Sequence, residues 1–231
     1  KWYPYNKGGE FRKWYGNFDS VINWGNDGKE IKEYAVFRNG GKHWSRYIQN
    51  LDYMLKPGIT WTFISSSYFG ARYTPPGHLF DYAGCSAFPH DSNKINYYLG
   101  YFCSGVAQYV LSFLNPTLNL QPGNVNTLPI PTMSELDTQK IESLVSELIS
   151  MTKDDWDSYE SSWNFKKSPL LNYQSDSVKE SIHLLQKDFE STYKKAYGLE
   201  KENKKLFINS LGLSGDMSFE LGSDEITLMS N

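Results

Sequence analysis

The sequence predicts an α+β fold in which a β-rich part precedes a helical part. Residues 1–131 hold twelve Lys or Arg against eight Asp or Glu, a net charge of +4, whereas the remaining residues hold eleven against eighteen, a net charge of −7. The first part also holds 27 of the 37 aromatic residues and nine of the ten prolines. We therefore predict a β-rich domain over residues 1–131 and a helical support region over residues 132–231.

Short runs of β-branched and aromatic residues, separated by turn-forming residues, predict the strands of the first part. The runs cover residues 21–24, 33–38 and 59–65. The first two precede Gly-Asn-Asp-Gly at residues 25–28 and Asn-Gly-Gly at residues 39–41, which are typical of hairpin turns. Residues 72–77 contain two prolines and a glycine, so we predict a turn there.

Helical periodicity predicts three helices. Residues 96–114 contain no charged side chain and carry apolar residues at steps of three and four, so this helix is expected to be largely buried. Beyond Pro131, one apolar stripe runs from Ile141 to Ile149, with Ser134 and Asp137 as candidate N-terminal caps. A second stripe runs over residues 178–193, and Gly198 is predicted to end that helix. The helical part is thus expected to contain at least two amphipathic helices.

Several classes of site are excluded by the motifs. The four histidines include no pair at helical metal-ligand spacing, and there is no Cys-x-x-Cys, so no metal site is expected. No catalytic motif is found either, and we predict no catalytic residue in this chain. Cys85 and Cys103 are expected to be free buried thiols. No apolar run approaches the roughly 20 residues of a membrane helix, and no N-terminal signal stretch is seen, so we expect a cytoplasmic protein without membrane partners.

Cations and aromatic residues alternate near the start of the chain. Residues 1–17 carry four Lys or Arg and six aromatic residues, a combination that suits contact with a phosphate backbone and with bases. The alternative is that the aromatic rings are core and the cations solvated. A second segment, residues 58–72, presents Ser, Thr and Arg side chains of the kind that read base edges, or else forms an ordinary turn.

These two segments resemble a known family. Lys-Trp-Tyr-Pro-Tyr-Asn-Lys-Gly-Gly-Glu-Phe-Arg-Lys-Trp-Tyr-Gly-Asn at residues 1–17 and Gly-Ile-Thr-Trp at residues 58–61 are similar to segments of the adenine-specific DNA methyltransferases of BREX phage-defence systems, the PglX or BrxX family. Pro-Gly-Asn-Val at residues 122–125 and Leu-Pro-Ile-Pro at residues 128–131 resemble the exit of target-recognition domains in that family and in combined restriction-modification enzymes. The similarity continues through residues 155–171.

The resemblance implies a large parent enzyme that transfers a methyl group from S-adenosylmethionine to the N6 of adenine in DNA. The Asn-Pro-Pro-Tyr-type catalytic motif of the family is absent, since the one Pro-Pro lies in Thr-Pro-Pro-Gly at residues 74–77. No methionine precedes Lys1. We therefore expect a C-terminal portion that contains the target-recognition region, binds no cofactor and has no activity of its own. Its expected partners are double-stranded DNA, the methyltransferase core of the same polypeptide and other phage-defence subunits.

On this reading, one set of side chains neutralises phosphates and a second set approaches the bases. The predicted DNA-contacting residues are Lys7, Arg12, Lys13, Lys42, Arg46, Trp61, Ser65, Ser66, Ser67 and Arg72. Two other functions stay open. An aromatic, acidic β-rich protein also suits a carbohydrate-binding module, and the acidic helices suit a protein-interaction module within a defence complex.

Overall fold

The structure is a computed structural model that describes residues 1–65, 68–115 and 117–228. Its strands form two three-stranded sheets, in the order β2-β1-β5 and β4-β3-β6. In the first sheet β1 pairs antiparallel with β2 and parallel with β5; in the second, β3 pairs antiparallel with both neighbours. The strands are β1 (Trp2–Asn6), β2 (Val21–Asn23), β3 (Gly58–Thr62), β4 (Ala71–Thr74), β5 (Leu79–Phe80) and β6 (Gly84–Ala87).

Helices cover more of the described chain than strands do, and the predicted α+β class is confirmed. The helices are α1 (Gly25–Arg38), α2 (Ile95–Cys103), α3 (Val106–Leu114), α4 (Pro122–Val125), α5 (Glu135–Asp157) and α6 (Val178–Ser210). Short 3-10 turns lie at Trp44–Arg46, Leu51–Tyr53, Ser92–Lys94, Pro169–Asn172 and Ser223–Glu225. None of the described helices is both long and apolar enough to cross a membrane.

Several predicted elements differ from the structure, and residues 25–28, predicted as a hairpin turn, open α1. Residues 33–38 belong to α1 and not to a strand, because Ile31 and Ala35, four residues apart, turn toward the protein while Tyr34 and Phe37 are exposed. The turn predicted at residues 72–77 begins later, since β4 runs through Thr74. Gly198 does not end its helix, because the buried face of α6 continues to Ile208.

The predicted helix over residues 96–114 is two helices. Gly105 has φ +78, a left-handed conformation that interrupts the helix, and the Ser104 hydroxyl accepts a hydrogen bond from the Val106 N–H (3.2 Å). Ser134 does cap α5, as predicted, by accepting a hydrogen bond from the Asp137 N–H (3.1 Å). Cys85 and Cys103 are free and buried, also as predicted.

One hydrophobic core crosses the position where the composition changes. Helix α2 lies between the second sheet and the pair α5 and α6; the Tyr101 ring lies 5.4 Å from that of Phe207, and the Asn203 amide donates to the Gly100 carbonyl (2.9 Å). Gly100 is required there, because a Cβ atom would lie 2.9 Å from Ile141. The change after Pro131 is therefore a change of secondary structure and charge within one connected core.

Candidate nucleic-acid interface

Residues 25–56, here called the arm, join β2 to β3 and project from the sheets. The arm begins with three consecutive residues in the left-handed region, Asn26, Asp27 and Gly28. Gly28 packs so closely on the Trp24 ring that a Cβ atom would lie 2.7 Å from it. Beyond Gly28, only Ala35 of the arm is buried. The arm is consequently a segment whose side chains are mostly exposed or half-buried, and a buried tryptophan anchors its start.

The second half of the arm carries an excess of positive charge. Residues 34–56 contain four Lys or Arg and a single acidic residue, Asp52. Arg38, Lys42 and Arg46 are exposed, and none of them has an acidic partner within 4 Å in the described chain. By contrast, Lys29 pairs with Glu33 nearer the start of the arm. The three unpaired cations are available to an external anion.

Aromatic rings accompany these cations on the surface. Phe37 is 78% exposed, and Tyr34 and Tyr47 are each 59% exposed. Tyr34 and Phe37 lie three residues apart on α1 and so share one face of it, and exposed apolar groups that cluster mark interaction sites. Rings beside unpaired cations are the groups that proteins use to stack on bases and to neutralise phosphates.

A groove separates the arm from the two sheets. One cavity of about 480 Å³ lies on the arm itself, beside Trp44 and Lys32. Two further cavities, each of about 450 Å³, adjoin one another along the sheets and share Asn50, Phe80, Ser86 and Pro122. Their walls combine rings with side chains that donate and accept hydrogen bonds, among them Tyr47, Gln49, Asn50, Tyr53, Tyr82, Ser86, Phe88, His90 and Asn126.

The residues predicted from the sequence to contact DNA fall into two groups. Lys42 and Arg46 lie on the arm, and Lys7 is exposed but donates to Asp81 (2.6 Å). Arg12, Lys13, Trp61 and Arg72 are buried, with exposed fractions between 1% and 6%. Ser65 is half-buried, and Ser66 and Ser67 lie outside the described residues.

The buried cations near the start of the chain are held by acidic residues from distant helices. The Arg12 guanidinium lies 3.1 Å from Asp155 and 5.1 Å from the centre of the Trp156 ring, both in α5. Lys13 forms an ion pair with Glu200 of α6, which also accepts a hydrogen bond from the Trp14 indole (2.8 Å). Burial raises the pKa of Glu200, and the ion pair with Lys13 opposes that rise. These contacts hold Arg12 and Lys13 inside the fold, whereas the prediction of phosphate contacts assumed exposed cations.

Trp61 and Arg72 are likewise held in the interior. The Trp61 indole donates to the Leu120 carbonyl (2.8 Å), and its ring packs edge-on against Phe69 and Phe102. Arg72 lies in the middle of β4, and burial lowers its pKa to about 10. Both side chains are 1% exposed.

The structure also identifies candidate DNA-contacting residues that the sequence analysis did not select. Tyr34, Phe37 and Arg38 all lie in the strand predicted over residues 33–38, so their shared exposure on α1 was missed. The charge count within residues 34–56 was the signal that could have found them. No group of three metal-ligating side chains lies together in the described part of the chain.

Comparison with known proteins supports the family inferred from the motifs. The chain is 33% identical over 232 aligned positions to the adenine-specific methyltransferase PglX of Lacticaseibacillus casei, a match that covers 98% of the chain. Its relatives are the PglX and BrxX methyltransferases. The BrxX protein of Escherichia coli O9:H4 is 31% identical over the whole chain. The predicted resemblance is thereby confirmed.

The chain spans less than a fifth of the length of these relatives, 19% of PglX and 18% of BrxX. No protein-family model matches it. The similarity to PglX and BrxX thus concerns one segment of long proteins.

Proposed function

We propose that this chain recognises the DNA target of an adenine-specific methyltransferase of the BREX type, and that the arm makes the contacts. The observation that carries the proposal is the coincidence, on the arm, of three unpaired exposed cations with three exposed aromatic rings. Arg38, Lys42 and Arg46 bind phosphates, while Tyr34, Phe37 and Tyr47 cover apolar parts of the nucleic acid. The polar side chains along the groove supply hydrogen-bonding groups for base edges.

The methyl transfer itself is assigned to other parts of a longer enzyme. In the described residues, the parallel pair of β1 and β5 is only two residues long, and no glycine-rich loop leads from it into a helix. Nucleotide-like cofactors are held at such strand–loop–helix units. We therefore propose that the S-adenosylmethionine site and the catalytic residues lie outside this chain.

The salt dependence of DNA binding tests the proposal. We would measure binding of a fluorescent duplex by the 231-residue chain and by its Arg38→Ser/Lys42→Ser/Arg46→Ser variant at several salt concentrations. Removing one cation that neutralises a phosphate lowers the slope of log K against log salt by about 0.9. The triple variant is therefore expected to lower the slope by roughly 2 to 3.

A matched variant controls for net charge. Lys166→Ser/Lys167→Ser/Lys187→Ser removes the same charge from exposed positions outside the arm. This control variant is expected to keep most of the parent's slope of log K against log salt. If the two triple variants lose affinity equally, the arm has no special role. In the complete methyltransferase, the arm variant is expected to reduce methylation or relax the choice of site, and an unchanged methylation pattern would also contradict the proposal.

A second contact surface is supported by the first half of α6. Val178, which is 69% exposed, and Ile182, which is also exposed, lie four residues apart on that helix and so share one face, and Leu171 lies exposed just before it. An apolar helix face of this kind is normally covered by a partner. Since the relatives are more than five times as long as this chain, we propose that other segments of the same polypeptide dock here.

Introducing a charge on that face tests the docking. Ile182→Glu is expected to weaken the association of this region with the rest of the methyltransferase, measured as increased proteolysis between them. His183→Glu, one residue along the same helix, is the control. Equal rates of proteolysis in the parent and in the Ile182→Glu variant would overturn this assignment.

A further inference from the structure

Arg72 has no acidic partner among the described residues, although it is buried. The residue is 1% exposed, and its Nε atom has no hydrogen-bond acceptor in the described chain. Its Nη1 atom makes only a long hydrogen bond, 3.5 Å, to the Arg12 carbonyl. An isolated charge in a protein interior is costly, so buried guanidinium groups are normally held by an anion.

The surrounding ion pairs leave Arg72 as the unmatched charge. Arg12, Lys13 and Lys204 are buried too, and each lies within 4 Å of one carboxylate. The cluster in the described chain thus contains four cations and three anions. The carboxylates are Asp155, Glu200 and Glu225.

Neither Arg72 nor its neighbour Cys103 resolves this imbalance by changing protonation. Burial lowers the pKa of Arg72 to about 10, so the guanidinium stays charged at neutral pH. The Cys103 thiol would offset that charge if it ionised, but burial raises its pKa to about 12. The thiol is therefore neutral and supplies no negative charge.

A small hollow lies beside Arg72. Its free volume is about 10 Å³, close to the space that one water molecule needs. Thr62 and Ser65 are among its lining residues, and their hydroxyls donate to the Gly9 and Tyr68 carbonyls. Tyr68 also lines it, with its ring 5.5 Å from that of Phe11 and its hydroxyl donating to Asp224 (2.9 Å). The small free volume favours a small solute.

We propose that this hollow binds one monatomic anion of the size of chloride, which serves as the counter-ion of Arg72. A water molecule fits the hollow but leaves the positive charge uncompensated, whereas a monatomic anion, only slightly larger than water, supplies the counter-charge. Inorganic phosphate and a DNA phosphate are too large for the hollow as it stands. The hollow is separate from the arm that we propose binds DNA. None of the residues that line the hollow belongs to the arm, which joins β2 to β3.

Thermal unfolding in different salts tests the site. The chain would be unfolded in sodium chloride and in sodium gluconate of equal concentration, since gluconate is too bulky to enter. At a chloride concentration ten times its Kd, a single site raises the Tm of a domain of this size by about 3–6 °C. Arg72→Met is expected to lose this difference, and Lys7→Met, which removes an exposed cation, is expected to keep it.

A second measurement uses the unmodified chain and so does not depend on the variant's folding. Crystals grown in bromide are expected to show an anomalous peak within about 3.5 Å of the Arg72 guanidinium, the distance of a charge-assisted contact. Bromide peaks only at other positions would overturn the proposal. So would an equal response to chloride in the parent and in Arg72→Met, or a stabilisation through Arg72 by inorganic phosphate and not by chloride.

Discussion

The arm and the first seventeen residues have similar compositions and opposite environments. Both alternate cations with aromatic rings. On the arm, Arg38 and Phe37 are exposed, while in the first seventeen residues Arg12, Lys13 and Trp14 are buried. The difference lies in partners: α5 and α6 provide Asp155 and Glu200 for the buried cations, and no described acidic residue lies within 4 Å of Arg38. Composition alone therefore does not distinguish a binding surface from an ion-paired core.

Breaking the buried ion pair is expected to have the largest effect on stability. Glu200→Gln leaves the Lys13 ammonium buried without a counter-charge, which costs about 3–5 kcal/mol in the free energy of unfolding. Urea denaturation would measure it. The exposed pair of Lys195 and Glu147 offers the control: Glu147→Gln is expected to cost about 1 kcal/mol or less.

A double variant sharpens the same comparison. In Lys13→Met/Glu200→Gln both charges are gone, and the glutamine oxygen still accepts from the Trp14 indole. Since buried ion pairs are often replaced by neutral groups at small cost, most of the lost stability is expected to return. A double variant no more stable than Glu200→Gln would show that the charge on Lys13 is not the cause.

The second-largest effect on stability is expected in the core that the sheets and helices share. Gly100→Ala places a Cβ atom 2.9 Å from Ile141 and 3.0 Å from Val145, where α2 meets α5. Overpacking of this kind costs roughly 1–3 kcal/mol. Gly123→Ala is the control, because a Cβ atom there meets no other atom within 4 Å. Equal stability of the two variants would mean that α2 and α5 do not pack closely.

The partly buried His78 predicts that the free energy of unfolding depends on pH. Burial lowers the pKa of His78 below 6.5, and its ring lies 4.7 Å from that of Phe18. Just below pH 6.5 the unfolded chain then binds a proton that the folded chain does not, so stability falls as the pH decreases through that range. His78→Gln is expected to flatten the profile, which urea denaturation at about pH 5.5 and about pH 7.5 would measure. A profile identical to the parent's would refute the assignment to His78.

The smallest effect on stability is expected on the arm. Phe37→Ser removes an exposed ring without opening a cavity, so the free energy of unfolding should change by no more than about 0.5 kcal/mol. The affinity for duplex DNA should nevertheless fall, because stacking on one ring contributes about 1–3 kcal/mol. A large loss of stability would mean that Phe37 is packed and not free.

The local chemistry of the chain was predictable where it depended on nearby residues. Ser134 and Asp137 lie three residues apart, and their capping interaction followed directly from that spacing. The apolar stripe that begins at Ile141 likewise predicted α5. The class of fold and the family also followed from the sequence.

Long-range pairing could not be predicted from one sequence. Arg12 and Asp155 are 143 positions apart, and Lys13 and Glu200 are 187 apart. Nothing near Arg12 or Lys13 indicates that their carboxylates come from α5 and α6. The acidic and aromatic segment at residues 154–163 likewise carries no local sign of its distant contact, in which the Trp163 indole donates to the Phe18 carbonyl (2.6 Å).

The left-handed start of the arm has a consequence for sequence change. Because Trp24 anchors the arm and Ala35 is its one buried residue beyond Gly28, insertions and deletions between Asn39 and Lys56 leave the core untouched. Doubling the length of such a loop costs only about 0.6 kcal/mol. A change in the length of this part of the arm is therefore expected to cost the fold little stability.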